Sequence, residues 1–310
     1  MANKIPDLRG YVCLVTGASR GIGRGIAIGL GECGATVYIT ARTLKPKSED
    51  NQGVSGSLEE TAEEVTARGG VAIPVAVDHS DDSQVANLFT RIRREQKGRL
   101  DILVNNVYAG GDALAEHYKQ QRSYWELGSD ESPGVLWDSV NRRPGLIFNI
   151  SSFGGLQHLF TVVYGVGKCA IDRMTADMAV ELKERNKSVV VMSIWPGFVR
   201  TEQMKRLAGE TEVTGLDINT HSESPELTGR VIAVIAKESR KDLMARSGRT
   251  FIVADVANNF GIRDIDGRTP VSFRSYKMIL HMEGRERLAA LVPASLKAPY
   301  PLLKPASPRF

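Results

Sequence analysis

A tyrosine and a lysine stand four residues apart in the segment Tyr164-Gly-Val-Gly-Lys168. On a helix this spacing puts both side chains on one face. A nearby ammonium favours the ionised form of a phenol, so we expect the pKa of Tyr164 to lie below its ordinary value of about 10. Such a tyrosine can deliver a proton to a carbonyl oxygen while hydride arrives at the carbonyl carbon. The motif alone recurs by chance in many helices, so its value depends on its surroundings.

Two serines precede this pair at the end of an apolar run. The run Leu146–Ser151 predicts a strand, and Ser152 lies twelve residues before Tyr164. A hydroxyl at this strand end could hold the same carbonyl oxygen that the tyrosine protonates. The residue types therefore indicate proton transfer assisted by a hydroxyl.

A glycine-rich segment, TGASRGIG, lies between the first predicted strand, Tyr11–Thr16, and a helical pattern that starts at Ile22. Glycine allows a tight turn and a close approach of the backbone to a ligand. The start of a helix offers unpaired N–H groups and a positive dipole end, which suit a pyrophosphate. We predict a dinucleotide loop here, with a plain strand-to-helix turn as the alternative. The residues of this loop are Gly17, Ser19, Arg20, Gly21, Ile22 and Gly23.

The end of the second predicted strand, Thr36–Thr40, indicates which nucleotide is preferred. A carboxylate there would bind the ribose 2′-hydroxyl and repel a 2′-phosphate. This chain instead continues Ala41-Arg42, and the guanidinium groups of Arg20 and Arg42 suit a 2′-phosphate. We therefore expect NADP (NADPH) in preference to NAD, with two solvated arginines as the alternative.

Strand and helix patterns alternate through most of the 310 residues. The alternation predicts βαβ units and a doubly wound parallel α/β sheet of the Rossmann type. The pattern fades after Asn258, so we assign residues 1–258 to a dinucleotide-binding and catalytic domain and 259–310 to a C-terminal extension. The later predicted strands are Val71–Val77, Leu100–Asn105, Leu146–Ser151, Ser188–Ile194 and Thr250–Ala254.

Composition excludes several other classes. With 42% hydrophobic and 25% charged residues, the chain is neither disordered nor collagenous. The net charge of +4 is dispersed, so nothing favours nucleic acid as a partner. No apolar stretch resembles a signal peptide or a membrane span, so we expect a soluble intracellular protein. The three cysteines have no paired spacing, which predicts neither disulfides nor a metal site.

Four motifs in this order resemble the short-chain dehydrogenase/reductase family. They are TGASRGIG, the Asn105-Asn106 pair after LDILV, the Ser152…Tyr164-x-x-x-Lys168 set, and the segment from Pro196 to Thr201, PGFVRT. The resemblance covers about residues 8–258. It implies an NADPH-dependent carbonyl reductase, reversible as an alcohol dehydrogenase, that acts on ketone-bearing steroids or xenobiotics. It also suggests the cytosolic face of the endoplasmic reticulum.

The resemblance implies roles for individual residues. Tyr164 would be the acid/base, and Lys168 would lower its pKa and bind the nicotinamide ribose. Ser152 would orient the carbonyl group, because SSFGG matches the family's Ser-Ser-x-x-Gly, although Ser151 stands at the other common distance. The implied cofactor contacts are Asp78 by the adenine, Asn105 beside the nicotinamide, and Pro196, Val199 and Thr201 along the carboxamide and phosphates. For three of them a local role stays open: Asp78 as a turn residue, Thr201 as a helix cap and Asn105 as a strand-end hydrogen bonder.

One segment departs from the family pattern. Family members carry a further catalytic asparagine on a long helix before the serine strand, and Asn141 matches it. Arg142-Arg143-Pro144 follows at once, so about twenty residues of that crossover are missing relative to the family. Three accounts stay open: Ala113–Leu127 supplies the helix, the chain is a shortened variant, or the crossover is unusual but complete. A shortened variant would be a catalytically impaired nucleotide-binding protein, inactive or acting through partners, and it would weaken a homo-oligomer.

The C-terminal extension mixes apolar residues with Arg and Lys, for example Met278, Met282, Leu288 and Leu291. Such a segment could make a peripheral membrane contact or cover a substrate cleft, and a packed tail is the alternative. The segment 202–223, where a substrate loop is expected, is polar and does not select a substrate.

Overall fold

The computed structural model describes residues 5–46, 56–107, 145–157, 162–207, 212–213 and 216–303. The strands are β1 Val12–Thr16, β2 Thr36–Ala41, β3 Val71–Ala76, β4 Ile102–Asn105, β5 Gly145–Ile150, β6 Val189–Trp195, β7 Glu212–Val213, β8 Leu216–Asp217 and β9 Thr250–Ile252. The helices are α1 Gly21–Glu32, α2 Leu58–Ala67, α3 Asp82–Glu95, α4 Val162–Glu184, α5 Glu202–Leu207, α6 Ile218–His221, α7 Pro225–Ile235, α8 Arg240–Arg246, α9 Val253–Phe260, α10 Tyr276–Met282, α11 Glu286–Leu291 and α12 Tyr300–Leu303. A 3₁₀ turn covers Phe153–Gly155.

Seven strands form one parallel sheet in the order β3-β2-β1-β4-β5-β6-β9. The chain runs outward from β1 to β3 and then crosses back to β4, which reverses the strand order between β1 and β4. Ligands of such sheets bind at the carboxyl ends of the strands, at this reversal. The prediction of a doubly wound parallel sheet is confirmed.

Apolar side chains fill both faces of the sheet. Along β1, Cys13 and Val15 pack in the core beneath α1 and α7, whereas Val12 and Leu14 pack in the core of the opposite face. Each fully buried aliphatic side chain contributes about 1.5–3 kcal/mol to folding. The two cores therefore hold the sheet rigidly, and the polar groups at the carboxyl ends of its strands are held in fixed positions.

The sequence prediction fails at the last strand. Thr250–Ala254 is predicted to be extended, but β9 ends at Ile252 and α9 begins at Val253. Val253 and Ala254 are fully buried, and a short buried apolar run does not distinguish strand from helix.

The C-terminal extension forms three short helices in its described part, α10 to α12. Among the described helices, none has the length and apolarity that a membrane crossing requires. Leu288, Leu291, Leu296 and Leu302 are exposed. Peripheral membrane contact by this segment stays a prediction, as does the boundary between residues 258 and 259.

Candidate active site

In the loop between β1 and α1, backbone segments approach each other and Asn106 closely. Gly17 has a φ of +68°, and a Cβ on Gly23 would lie 2.2 Å from the carbonyl oxygen of Gly17. The side chain of Asn106 donates to the carbonyls of Thr16 and Gly17 at 2.9 and 3.1 Å and fixes the turn. A loop with glycines at its closest backbone approaches, at the start of a helix, fits a dinucleotide pyrophosphate.

An acidic side chain from elsewhere in the chain reaches this helix start. Glu202 accepts the N–H of Gly21 through its Oε2 atom at 3.0 Å. A cavity of about 350 Å³ opens beside this contact, lined by both acidic and basic side chains, among them Arg24, Arg200 and Lys205. Neither Tyr164 nor Lys168 lines the cavity. Sequence reasoning missed Glu202, because it and Gly21 are 181 residues apart.

Arg42, predicted to bind a 2′-phosphate, and Asp78, predicted to lie by the adenine, follow the ends of β2 and β3. Arg42 is exposed directly after β2. Asp78 accepts the backbone N–H and the hydroxyl of Ser80 at 3.0 and 2.7 Å. These hydrogen bonds, with the charge of Arg42, lower the pKa of Asp78. Asp78 therefore has the geometry of a turn residue, and its contact with adenine stays a prediction.

Asn105 belongs to a chain of amide hydrogen bonds. Its Nδ2 atom donates to Oδ1 of Asn149 on β5 at 2.9 Å, and Asn149 donates to the hydroxyl of Thr175 on α4 at 2.9 Å. The chain links β4, β5 and α4 at the carboxyl edge. Asn105 is thus a strand-end hydrogen bonder in the structure, and its role beside nicotinamide stays a prediction.

Helix α4 brings Tyr164 and Lys168 together. The ammonium of Lys168 lies 5.7 Å from the centre of the Tyr164 ring, and it donates to the carbonyl of Ile150 at 3.0 Å. Only 8% of Lys168 is exposed. Burial lowers the pKa of Lys168 to about 8, and the charge of Asp172 opposes that change.

The two serines after β5 have different environments. Ser151 is buried, and its hydroxyl donates to the carbonyl of Lys168 at 3.0 Å. Ser152 is partly exposed, and its hydroxyl oxygen accepts the N–H of Gly154 at 3.1 Å. In that contact Ser152 is the acceptor, so its proton can still be donated to a substrate. This difference favours Ser152 over Ser151 as the residue that contacts a carbonyl oxygen.

Asp172 is a second residue that sequence reasoning missed. Its carboxylate accepts the indole N–H of Trp195 at 3.1 Å to each oxygen and the hydroxyl of Ser193. Burial raises the pKa of Asp172, and the hydrogen bonds from Ser193 and Trp195 oppose that rise. A signal was present: Tyr164, Lys168 and Asp172 recur every four residues on one helix face.

The segment after β6 is held by a buried glutamate. Glu223 accepts the N–H of Gly197 at 2.8 Å, and its backbone bridges to Val199. Burial raises the pKa of Glu223 to about 8. The hydroxyl of Thr201 accepts the N–H of Met204 at 3.1 Å, so Thr201 caps α5. The predicted cofactor contacts of Pro196, Val199 and Thr201 stay predictions.

An aromatic cluster covers the carboxyl ends of β5 and β6. Phe153, next to Ser152, stacks on Phe273 of the extension with ring centres 5.5 Å apart and packs edge-on against Trp195 at 6.0 Å. Phe198 and Met278 belong to the same cluster. An apolar wall therefore lies next to Ser152, and part of it comes from the extension.

A buried carboxylate secures that extension. Asp255, in the first turn of α9, accepts from Arg274 at 2.9 Å, from Lys297 at 2.7 Å and from the hydroxyl of Tyr300 at 3.0 Å. The guanidinium of Arg274 also lies 3.7 Å from the centre of the Tyr300 ring. Three segments of the extension are therefore tied to one side chain.

Asn141 and the alternative crossover Ala113–Leu127 lie outside the described residues.

This fold and this arrangement of tyrosine, lysine and serine define the class of the protein. A family model described as Enoyl-(Acyl carrier protein) reductase matches residues 17–241. Together with the relatives below, this match shows that the chain belongs to the short-chain dehydrogenase/reductase family and is an oxidoreductase.

The chain is similar to Dehydrogenase/reductase SDR family member 1 of two mammals. The mouse protein is 39% identical over 291 residues, covering 85% of this chain and 86% of that protein. The human protein is 37% identical over 320 residues, covering 94% of this chain and 95% of that protein. Among solved structures, the Pseudomonas aeruginosa RhlG/NADP active-site complex is 26% identical with a TM-score of 0.59, covering 79% of this chain and 95% of that chain.

Proposed function

We propose that the protein is an NADPH-dependent carbonyl reductase, reversible as an alcohol dehydrogenase, with Tyr164 as the proton donor. The observation that carries the proposal is the position of Lys168. Its ammonium is almost fully buried, is held by the carbonyl of Ile150 and lies 5.7 Å from the centre of the Tyr164 ring. A cation held this way stabilises a phenolate, and it does so at the sheet edge where such folds bind ligands.

The side chains share the work of moving one proton. Tyr164 gives its proton to the carbonyl oxygen, and Lys168 stabilises the phenolate that remains. The hydroxyl of Ser152 donates a hydrogen bond to the same oxygen, where negative charge develops. NADPH, when bound, supplies the hydride that reaches the carbonyl carbon. In the reverse direction Tyr164 accepts the proton of an alcohol.

Two features support NADP over NAD. Arg42 is exposed at the end of β2, and the residues from Thr40 to Arg42 include no carboxylate that would repel a 2′-phosphate. The relative from Pseudomonas aeruginosa is a complex with NADP. The glycine loop, which lacks side chains where the chain approaches itself most closely, would hold the pyrophosphate.

The apolar wall supports a hydrophobic ketone as substrate. Phe153, Trp195, Phe198 and Phe273 pack against one another and are each only 6–8% exposed. The edge that this wall presents beside Ser152 would contact the apolar part of a substrate whose carbonyl binds to Ser152 and Tyr164. Ketone-bearing steroids and xenobiotics have this chemistry.

The test combines binding and turnover. NADPH is titrated into the protein while its fluorescence is followed, and an aromatic 1,2-diketone is then added while absorbance at the nicotinamide band is recorded. We expect the wild type to oxidise NADPH, and Tyr164→Phe to bind NADPH with unchanged affinity but react at least about 100-fold more slowly. Tyr11→Phe is the control, because Tyr11 precedes the amino end of β1, whereas the site lies at the carboxyl ends of the strands. Wild-type turnover in Tyr164→Phe would remove Tyr164 from its role.

A second candidate is a nucleotide-binding protein without turnover. The sequence between β4 and β5 favours it, because Asn141 is followed within four residues by Gly145 at the start of β5. The same titration separates the two. Wild-type protein that binds NADPH but leaves every offered carbonyl unreduced supports the second candidate and contradicts the first.

A further inference from the structure

Asp172 ties the catalytic helix to the sheet. It lies one turn beyond Lys168 on the face of α4 that carries Tyr164. Its two carboxylate oxygens accept from the side chains of Ser193 and Trp195, both on β6. A shift of α4 along the sheet would break these hydrogen bonds.

The turn after the serines rests directly against this part of α4. A Cβ on Gly155 would lie 2.8 Å from the backbone nitrogen of Cys169 and 3.2 Å from Oδ2 of Asp172. The hydroxyl of Ser151 binds the backbone carbonyl of Lys168. The serine turn, the lysine and Asp172 therefore form one packed unit, in which a change at Asp172 reaches both catalytic elements.

Groups from α4, β5 and β6 surround Lys168 and Asp172 in the described part of the chain. Its own helix contributes the phenol of Tyr164 and the carboxylate of Asp172. The end of β5 contributes the carbonyl of Ile150 and the hydroxyl of Ser151, and the two β6 side chains bound to Asp172 are a hydroxyl and an indole, all of them neutral. Asp172 is thus the anion whose charge acts on Lys168, and it opposes the effect of burial.

We propose that Asp172 is a positioning residue, which fixes α4 against the ends of β5 and β6 and holds Lys168 as a cation while the enzyme works. The inference rests on the proposed function, since it concerns the residues that move the proton. Asp172 acts through Lys168 and does not contact the substrate. Without its charge, Lys168 loses its proton at lower pH, and the alkaline limit of activity moves to lower pH as well.

The first experiment reads Lys168 directly in the free protein. The pKa of Lys168 is measured by NMR of ¹³Cε-labelled lysine, with the resonance assigned by its loss in Lys168→Arg. We expect a lower pKa in Asp172→Asn than in wild type and a wild-type value in Asp172→Glu, which restores the charge. Asp177→Asn is the matched control, because Asp177 lies on the same helix and pairs with Arg173 at 2.8 Å on its exposed side. Identical titration of Lys168 in Asp172→Asn and Asp177→Asn would overturn the proposal.

The second experiment follows kcat/KM for NADPH-dependent reduction against pH. In Asp172→Asn we expect the alkaline limit to move to lower pH. For a shift of one pKa unit, the loss of kcat/KM approaches about tenfold at pH values above the wild-type limit and is small below both limits. A purely structural role would lower activity by the same factor at every pH, and that result would contradict the proposal.

A third measurement covers the case in which Asp172→Asn does not fold. In wild-type protein the ¹³Cγ resonance of Asp172, assigned through the backbone, is followed from pH 6 to 9. We expect an ionised carboxylate throughout, and a protonated Asp172 at pH 7 would overturn the proposal. Both NMR measurements use the protein without cofactor, so a failure of the proposed function, seen as absent NADPH oxidation, is distinguishable from a failure of this inference.

Discussion

Two regions at the carboxyl edge of the sheet are each organised by one carboxylate, and their charge balance differs. Asp255 contacts two cations, Arg274 and Lys297. Burial alone would raise the pKa of Asp255, but the hydrogen bond and charge of Lys297, with the charge of Arg274, outweigh it and the pKa is lowered. Asp172 accepts from the neutral side chains of Ser193 and Trp195, and burial raises its pKa.

The difference separates a structural contact from one that can influence chemistry. At Asp255 the negative charge is neutralised on contact, so its effect is confined to holding the extension against α9. At Asp172 the charge is compensated by neutral hydrogen bonds, so its field still reaches Lys168. The same residue type thus fastens the aromatic wall in one region and supports the proton donor in the other.

The largest expected effect is on stability, and it compares the same substitution in both regions. Asp255→Asn leaves Arg274 and Lys297 without their counter-charge, and we expect the free energy of unfolding to fall by about 3 kcal/mol. Asp172→Asn loses hydrogen bonds from neutral groups and the charge that acts on Lys168. Because Lys168 can then release its proton, the substitution should cost about 1 kcal/mol. Urea denaturation measures both values. The rate of backbone amide hydrogen exchange in residues 271–303 should rise in Asp255→Asn but not in Asp172→Asn.

A partly exposed aspartate provides the control for that comparison. Asp266 pairs with Arg268 at 2.7 Å near the surface, and Asp266→Asn should cost less than about 1 kcal/mol. If Asp255→Asn and Asp172→Asn lowered the free energy of unfolding equally, the proposed difference between the two regions would be wrong.

The next effect concerns a third buried carboxyl, Glu223, whose pKa in the folded protein is about 8, above its ordinary 4.5. Between these pH values the folded state holds a proton that the unfolded state releases. The free energy of unfolding should therefore fall as pH rises through this window and level off above it, by about 1 kcal/mol or more. Glu223→Gln should remove that slope, measured by denaturation from pH 5 to 9. Exposed Glu184→Gln should keep it, and an unchanged slope in Glu223→Gln would show that Glu223 is ionised.

The smallest expected effect concerns cofactor affinity. Glu202 places a carboxylate on the first N–H of α1, where an incoming pyrophosphate needs positive potential. Glu202→Gln should therefore tighten NADPH binding about threefold, measured by fluorescence titration. Exposed Glu63→Gln should have no effect, and weaker binding in Glu202→Gln would mean that the carboxylate organises the loop instead of competing at it.

The sequence predicts the elements that depend on local pattern. Alternating apolar runs are sufficient for the parallel sheet, and the Tyr164–Lys168 spacing is sufficient to bring that pair together, because helix geometry fixes it. The predicted end of the last strand is wrong because the local pattern there is ambiguous. A buried apolar run that includes Val253 and Ala254 fits a strand or a helix equally well.

The polar contacts of the site depend on packing between distant segments. Glu202 meets Gly21 across 181 residues, and Asp255 meets Tyr300 across 45. No periodicity encodes such contacts. Asp172 is intermediate, because its spacing from Lys168 is visible in the sequence but its partners on β6 are not. For Asp78, Thr201 and Asn105 the structure shows the local hydrogen bonds that the sequence left as alternatives.

The most direct test of the central claim, hydride transfer to a carbonyl with Tyr164 as proton donor, uses NADPH carrying deuterium at nicotinamide C4. Each C4 stereoisomer is offered with a hydrophobic ketone, and the alcohol is analysed by mass spectrometry. We expect deuterium at the carbinol carbon from one stereoisomer, in wild type and Tyr11→Phe, with formation at least about 100-fold slower in Tyr164→Phe. Alcohol that contains no deuterium from either stereoisomer, or labelled alcohol formed at the wild-type rate by Tyr164→Phe, would contradict the account.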